Sequence, residues 1–257
     1  MTSNELHLDR DRAESFGSIA EQYDRYRPSC APALIDDLVA LSPAKVLDVG
    51  CGTGRVAKAL TQRGLDVLGV ELDERMADIA RAHGIPVEIS AFETWHDTGR
   101  RFDLITCSDA WHWIEPTQGL TKAAGLLRPG GTFARFWNYH VLDDHVADAF
   151  DTVYREHAPN ADPHARGPQN ITKPSTKDGE FAPGETKTYH WERALSADEW
   201  IGMAATFSDH QRLAPESLGT LTKALHKTIG ELGGTVHAHG STYAILSQRR
   251  GAIRSTP

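Results

Sequence analysis

The sequence lacks a long hydrophobic run. Nothing in its 257 residues approaches the length of about 18 consecutive apolar residues that marks a membrane-spanning helix, so we expect no transmembrane segment. The opening segment MTSNELHLDRDRAESF mixes acidic and basic residues and has no apolar core, which does not fit a secretory signal peptide. We therefore predict a cytoplasmic protein without a membrane partner.

Cysteine and net positive charge are also scarce. The three cysteines, at positions 30, 51 and 107, are odd in number and show no CxxC spacing, which predicts free thiols and no structural zinc site. His237 and His239 stand two residues apart without an apparent third ligand, so we expect no metal there. The formal net charge of −8 opposes a surface built to hold phosphates, and we expect no nucleic-acid partner.

Strand-like and helix-like segments alternate through the first half of the chain. Apolar runs at 45–50, 66–72, 87–90, 102–108 and 132–137 predict five strands, with helical patterns between them. Such alternation is typical of βαβ units, in which helices cover both faces of a parallel sheet. The nearly continuous apolar character of the strands agrees with burial on both faces.

The pattern becomes irregular after position 138. Residues 144–157 have helical spacing, whereas 159–185 are rich in Pro, Gly, Asp, Thr and Lys and predict a long loop. Ser196-Ala-Asp-Glu199 predicts a capped helix start, and 242–248 predicts a last strand. We expect one domain over 1–257, with N-terminal lid helices over about 1–40, a cofactor-binding core over 41–140, a variable insert over about 141–190, and C-terminal helices and strands over 191–257.

The stretch VLDVGCGTG at 46–54 joins a strand to a helix through alternating glycines. In a dinucleotide-binding turn two residues separate the second and third glycines, whereas here Gly54 comes one residue early and Arg55 fills the usual glycine position. Asp48 places a carboxylate beside the turn, which suits a cationic ligand better than a pyrophosphate. Glu71, about 20 residues on, can accept both hydroxyls of a ribose. The pattern therefore favours a ribose-bearing ligand without phosphate and disfavours a nicotinamide-dependent oxidoreductase.

Four segments follow one another along the first half: VLDVGCGTG at 46–54, GVELDERM at 69–76, FDLITCSDAWHWI at 102–114 and LLRPGG at 126–131. In order and spacing they resemble the class I S-adenosylmethionine-dependent methyltransferases, close to the small-molecule branch called type 11. The resemblance implies an α/β, Rossmann-like fold with a seven-stranded, mostly parallel sheet, helices on both faces and a variable substrate-side insert after strand five. It also implies S-adenosyl-L-methionine as the cofactor.

The resemblance assigns roles around the glycine turn. The turn would let the backbone approach the cofactor, through Gly50, Cys51, Gly52 and Gly54. Asp48 would hold the aminoacyl end of the cofactor, and Glu71 would bind the ribose. Ser108, just after the fourth strand, would receive the methionine ammonium through its carbonyl oxygen.

The resemblance also assigns an adenine site. Leu72 and Met76 would pack on the adenine ring, and Phe92 would offer its backbone N–H to it. Relatives commonly carry an Asp at the position of Ala91, where it binds the adenine amino group. Glu93 is the residue that we expect to replace that contact here.

The segment FGSIAEQYDRYRP at 16–28 has apolar residues at helical spacing, which simple packing would explain. It is also similar to the entry segment that closes over the methyl group in this branch. We therefore predict a lid, to which Tyr23 and Arg27 contribute.

Trp111, His112 and Trp113 follow the fourth strand, at the edge where open α/β sheets bind ligands. Aromatic rings can stabilise a nearby positive charge, and His112 can take a proton from an attacking hydroxyl or acid. A hydrogen-bonding role that orients the loop is the alternative for His112. Trp137 and Tyr139, with neighbouring aromatic residues at 140 and 189–191, predict a small, partly apolar acceptor.

Together these features predict methyl transfer from S-adenosylmethionine to a small-molecule acceptor, at a carboxylate or hydroxyl oxygen. The alternative is a cofactor-binding module or partner subunit that transfers no methyl group. The sequence leaves a monomer and a homodimer equally open.

Overall fold

The computed structural model describes residues 6–9, 15–161 and 179–251. The elements of these ranges are α1 (Ala20–Tyr26), α2 (Pro32–Ala40), β1 (Val46–Val49), α3 (Arg55–Thr61), β2 (Val67–Glu71), α4 (Glu74–Ala82), β3 (Val87–Ile89), β4 (Phe102–Ser108), α5 (Pro116–Leu126), β5 (Leu127–Leu142), α6 (Asp144–His157), β6 (Glu185–Ser196), α7 (Ala197–Ala205), α8 (Pro215–Glu231) and β7 (Thr235–Gln248). Most of the loop predicted over 159–185 lies outside the described residues. None of the described helices combines the length and the apolar character needed to cross a membrane.

The strands form one seven-stranded sheet in the order β3-β2-β1-β4-β5-β7-β6. The first five strands of this order are parallel, and β7 runs antiparallel to both β5 and β6. The predicted Rossmann-like, mostly parallel sheet with helices is therefore confirmed.

The parallel strands are apolar because helices cover both faces. On β1, Val46 belongs to a core with Leu104 and with Leu34 and Leu38 of α2. The next residue, Leu47, points to the opposite face, as successive side chains of a strand do, and belongs to a second core that includes residues of α5. Because β1 pairs in parallel with both β2 and β4, the carboxyl ends of these three strands lie at one edge of the sheet.

Two helix starts follow from their capping residues, as the sequence predicts. Asp73 caps α4 by accepting the backbone N–H of Arg75. Ser196 and Glu199 form the reciprocal capping box that begins α7. The helix predicted over 144–157 is α6.

Two strands are much longer than the sequence predicts, which corrects the expected bounds 132–137 and 242–248. β5 and β7 pair from Thr132↔Gln248 as far as Leu142↔Ala238. The added halves carry polar and aromatic residues rather than an apolar run, so the strand signal was weak. Beyond the parallel part they support a third core, formed with α6, α7 and α8 around side chains such as Phe150.

The central position of β5 gives a stability prediction. Phe136 is fully buried and belongs to the core beneath α2. Phe136→Ala should lower the free energy of unfolding by about 3–5 kcal/mol, because the ring leaves a cavity in a packed interior. Val141→Ala, at a position on the same strand that is 64% exposed, is the control and should change it by less than about 1 kcal/mol. Chemical denaturation measures both, and equal losses would contradict this assignment of the core.

Candidate functional site

A cleft lies at the carboxyl ends of β1 and β4. It encloses about 830 Å³ of space not filled by protein atoms, including solvent at its mouth. The glycine turn after β1 forms one wall, which we call the turn side. Residues of β5, β6 and the end of α7 form the opposite wall, which we call the far side, and α1 with the residues that follow it borders both.

The turn presents backbone rather than side chains to the cleft. Gly50, Gly52 and Gly54 have φ values of +61°, +56° and +78°, a region that other residues rarely adopt. A Cβ on Gly54 would lie 2.8 Å from Cβ of Ala80, so α4 packs directly under the turn. Cys51 is buried in the core beneath, and its thiol pKa is raised well above its usual value by burial.

Glu71 fixes this turn from the end of β2. One carboxylate oxygen accepts the backbone N–H of Gly52 at 2.7 Å, and the other accepts those of Leu72 and Asp73 at 2.9 and 3.0 Å. Burial raises the pKa of the carboxyl, and the three N–H donors oppose that shift. Glu71 thus lies directly behind Gly52 and is not among the described residues that line the cleft, so its ribose contact stays a prediction.

Asp48 carries an unpaired buried atom into the cleft. It is 1% exposed, and its Oδ1 accepts the hydroxyl of Thr106 at 2.7 Å. Its Oδ2 is buried, and no donor among the described residues meets it with good hydrogen-bond geometry, although the backbone N–H of Ala57 is close enough to lower the pKa of the carboxyl. Burial raises the pKa of this carboxyl to about 7. A cationic donor would supply the missing partner and favour the ionised form.

The residues predicted to hold adenine lie beside the turn and not among the described residues that line the cleft. Met76 is buried, with its terminal methyl 3.4 Å from where a Cβ on Gly52 would be. Phe92 is buried in the core that covers α5. Glu93 accepts the backbone N–H of Glu115 at 3.0 Å, which ties it to the start of α5. The adenine roles of these residues and of Leu72 stay predictions.

Arg27 closes the lid segment onto the C-terminal helices. Its Nε donates to the Thr206 hydroxyl at 2.8 Å and its Nη2 to the Thr206 carbonyl at 3.0 Å. The guanidinium lies between two rings, 5.2 Å from the centre of Tyr23 and 4.9 Å from that of Phe207. Tyr23, Arg27 and Phe207 all line the cleft, so the lid segment and the far side meet there.

Asp109 is a cleft residue that the sequence analysis did not single out. It has a φ of +51°, rare for a residue with a side chain, and such strain concentrates at functional sites. Its carboxylate accepts the backbone N–H of Asn138 at 3.0 Å, the Asn138 amide at 2.8 Å and the Ser108 hydroxyl at 3.3 Å. Burial raises the pKa of Asp109, and these donors lower it. The signal that the sequence offered for Asp109 was its position directly after Ser108, at the carboxyl end of β4.

The triplet at 111–113 points elsewhere. Trp111 is buried, with its ring 5.1 Å from that of Phe133. The ring of His112 lies 4.7 Å from Trp113, and Trp113 in turn contacts Phe16. None of the three is among the described residues that line the cleft, and Trp137, buried in the same core as Trp111, is not among them either. The catalytic role of His112 and the substrate roles of the tryptophans stay predictions.

The far side contains aromatic residues of β5 and β6. Tyr139, His140 and Trp191 line the cleft. Burial and then the charge of Asp109 raise the pKa of the Tyr139 hydroxyl. His140 stacks on Phe207 with 6.1 Å between ring centres. Of the predicted site residues, the structure thus brings Tyr23, Arg27, Asp48, Gly50, Cys51, Gly52, Ser108 and Tyr139 together around the cleft.

Comparisons with known proteins agree with this geometry. Residues 46–131 match a family model described as a methyltransferase domain. An uncharacterised methyltransferase of Mycobacterium tuberculosis is 37% identical over 132 residues, covering 50% of this chain and 54% of that protein. A ubiquinone biosynthesis O-methyltransferase of Coxiella burnetii is 29% identical over 147 residues, which cover 51% of this chain and 63% of that protein. The chain thus spans about half the length of the curated relatives it matches.

Solved structures extend the likeness of fold beyond the matched region. A structure described as a type II methyltransferase from Anaeromyxobacter dehalogenans superposes with a TM-score of 0.63 at 22% identity. The superposition covers 88% of this chain and 98% of that one. A phosphoethanolamine N-methyltransferase of Haemonchus contortus has a TM-score of 0.53 at 15% identity, and the superposition covers 98% of this chain and 61% of that one. The family match and the relatives agree that residues 46–131 carry a methyltransferase domain, and the sheet order agrees with the class I, S-adenosylmethionine-dependent type.

Proposed function

We propose that the protein transfers the methyl group of S-adenosylmethionine to an oxygen of a small molecule held in the cleft. The observation that carries the proposal is the buried Oδ2 of Asp48, a residue that lines the cleft together with Gly50 and Gly52 of the turn. A carboxylate oxygen that lacks a well-aligned donor suits the ammonium group of this cofactor.

The residues present fit the cofactor. Asp48 offers its oxygen to the ammonium, and Glu71 keeps acceptor capacity for ribose hydroxyls behind Gly52. Side chains are absent from the glycine positions, so a ligand can contact the backbone there. When bound, the cofactor supplies an electrophilic methyl group on a positively charged sulfur.

The protein's own contribution is alignment and exclusion of water. A bond forms between the acceptor oxygen and the methyl carbon, using an oxygen electron pair, while the bond from carbon to sulfur breaks. Contacts of α1 hold the lid segment over the cleft: Arg55 donates to the carbonyl of Asp24, and His83 Nε2 lies 3.0 Å from the Asp24 carboxylate.

Proton removal depends on the acceptor. A carboxylate reacts without losing a proton, whereas a hydroxyl must release one. Asp109 and His140 line the cleft and can take a proton there, while His112 is the residue that the sequence nominates. Oxygen as the methylated atom is supported by the name of the Coxiella relative, an O-methyltransferase.

The direct test is turnover. Purified protein is incubated with S-adenosylmethionine and separate panels of small carboxylic acids, phenols, alcohols and amines, and S-adenosylhomocysteine is quantified with the methylated product. We expect product from at least one oxygen acceptor and none without acceptor. Methylation of amines alone would contradict the choice of oxygen. Tight cofactor binding with no product across all panels would favour a cofactor-binding module.

Gly52→Val should weaken S-adenosylhomocysteine binding at least 100-fold. The side chain would occupy the backbone surface of the cleft at a φ of +56°. Gly64→Val is the matched control, because Gly64 also has a positive φ, +87°, but has open space around it and does not line the cleft. Calorimetric titration should show near-normal affinity for the control. Similar losses in both variants would indicate a general folding defect instead.

Cofactor affinity should depend on pH through Asp48. The pKa of the free carboxyl is raised to about 7, and a bound ammonium favours the ionised form, so binding below pH 7 must release a proton. Affinity for S-adenosylhomocysteine is then full above pH 7 and falls by up to about tenfold per pH unit below it. Asp48→Asn should bind weakly at every pH and lose this slope. Asp103→Asn, which removes a carboxylate at the far end of β4, is the control and should keep it.

A further inference from the structure

The indole of Trp191 lies across Gly240 on the far side of the cleft. Trp191 is opposite Gly240 in the sheet, and Gly240 is opposite His140. A Cβ on Gly240 would lie 2.0 Å from the indole Cε2, so the ring occupies the space that any other residue would fill. Its Nε1 is buried without a hydrogen-bond partner among the described residues. A buried N–H donor without an acceptor is destabilising, and a ligand in the cleft can supply that acceptor.

Arg27, in the lid segment that borders both walls, adds a charged donor to the cleft. Its Nε and Nη2 are engaged by Thr206, whereas its Nη1 has no partner among the described residues. Phe207 joins Arg27 to His140, since the Arg27 guanidinium packs on its ring at 4.9 Å and His140, which is opposite Gly240 in the sheet, stacks on it at 6.1 Å. Because Thr206 and the two rings hold the guanidinium in place, Nη1 is presented with little remaining conformational freedom.

The acidic group nearest this wall is already supplied with donors. Asp109 accepts three hydrogen bonds, two from Asn138 and one from Ser108. Among the described residues, the unpaired donors at this side of the cleft are Trp191 Nε1 and Arg27 Nη1, and the positive charge of Arg27 also lowers the pKa of the Asp109 carboxyl. These donors are complementary to a ligand that brings negatively charged oxygen atoms.

We propose that the methyl acceptor is a small carboxylate, whose oxygens accept hydrogen bonds from Arg27 Nη1 and Trp191 Nε1. The proposal rests on the proposed function and names the class of substrate for that site. An amine would face the guanidinium and leave both donors unpaired, and a neutral amide would gain no charge complementarity.

The cofactor has a carboxylate of its own, which is a second source of the same chemistry. Arg55 lies on the turn side, and its Nε is also buried without a partner among the described residues. Arg55 directly follows the glycine turn and would lie nearer to the aminoacyl end that Asp48 would hold. This leaves Trp191, on the far side, and Arg27, in the lid segment that borders it, for the acceptor.

Binding of matched probes tests the proposal without knowledge of the natural acceptor. Benzoate, benzamide and benzylamine, and the pair hexanoate and hexanamide, are titrated calorimetrically into the protein with and without saturating S-adenosylhomocysteine. We expect a carboxylate to bind at least tenfold more tightly than its amide. Equal or tighter binding of the amides or the amine, or no carboxylate binding at about 20 mM, would overturn the proposal.

Variants identify the donors. Arg27→Gln should reduce the preference for carboxylate over amide to near unity, and Trp191→Phe, which keeps a ring but removes the N–H, should weaken carboxylate binding about tenfold. Arg25→Gln, an exposed arginine on the same helix, is the control and should keep the full preference. An unchanged preference in both cleft variants would contradict the assignment of these donors.

A last comparison distinguishes binding of the acceptor carboxylate from binding of the cofactor's own carboxylate. Arg27→Gln should change the affinity for S-adenosylhomocysteine by less than about threefold. A tenfold loss for S-adenosylhomocysteine, with none for 5′-methylthioadenosine, which lacks the aminoacyl end, would assign Arg27 to the cofactor and overturn the proposal. Cofactor binding is measured in the same samples. Its absence would contradict the proposed function, whereas its presence without carboxylate preference would contradict only this inference.

Discussion

Three backbone N–H groups converge on the carboxylate of Glu71, and the cofactor side of the cleft depends on them. The glycine turn has three residues at positive φ, and the backbone N–H groups of Gly50 and Cys51 donate to Val70 of β2. Its hydrogen bond from Gly52 to Glu71 links it to β2, and the bond from Asp73 links the same carboxylate to the start of α4. Because α4 then packs under Gly54, one carboxylate positions strand, turn and helix together. Glu71 is thus a structural residue whether or not a ligand is present.

Much of the fold could be predicted because its signals are local. The apolar runs of β1 to β4 and the capping residues of α4 and α7 lie within a few positions of the elements they specify. The extended halves of β5 and β7 could not be predicted, because their stability comes from pairing with each other and from the third core. Neither of these is visible in a short window of sequence.

The candidate site divides in the same way. The turn, Asp48 and Glu71 follow from spacing along the chain, since each stands at the end of a strand in one sheet. The far side does not, because Arg27 meets Thr206 across 179 positions and Trp191 reaches the cleft only through its register with Gly240. The role of His112 stays a prediction, and its place in the fold was not visible in the sequence. It follows β4 closely, yet the short helical turn at Trp111–Trp113 directs the rings of this segment into the core and towards Phe16.

The long-range contacts of the lid segment have a consequence for biosynthesis. The hydroxyl of Thr242 receives the N–H of Ala31 and donates to Asn138, which in turn holds Asp109. On a ribosome, the segment around Arg27 and Ala31 emerges long before Thr206 and Thr242 exist to bind it. The parallel half of the sheet can collapse around β1 to β4 while the chain is still growing, because its contacts are closer in sequence. The cleft is then the last part of the molecule to be completed, and a nascent chain stalled before β7 would carry the glycine turn without the wall that faces it.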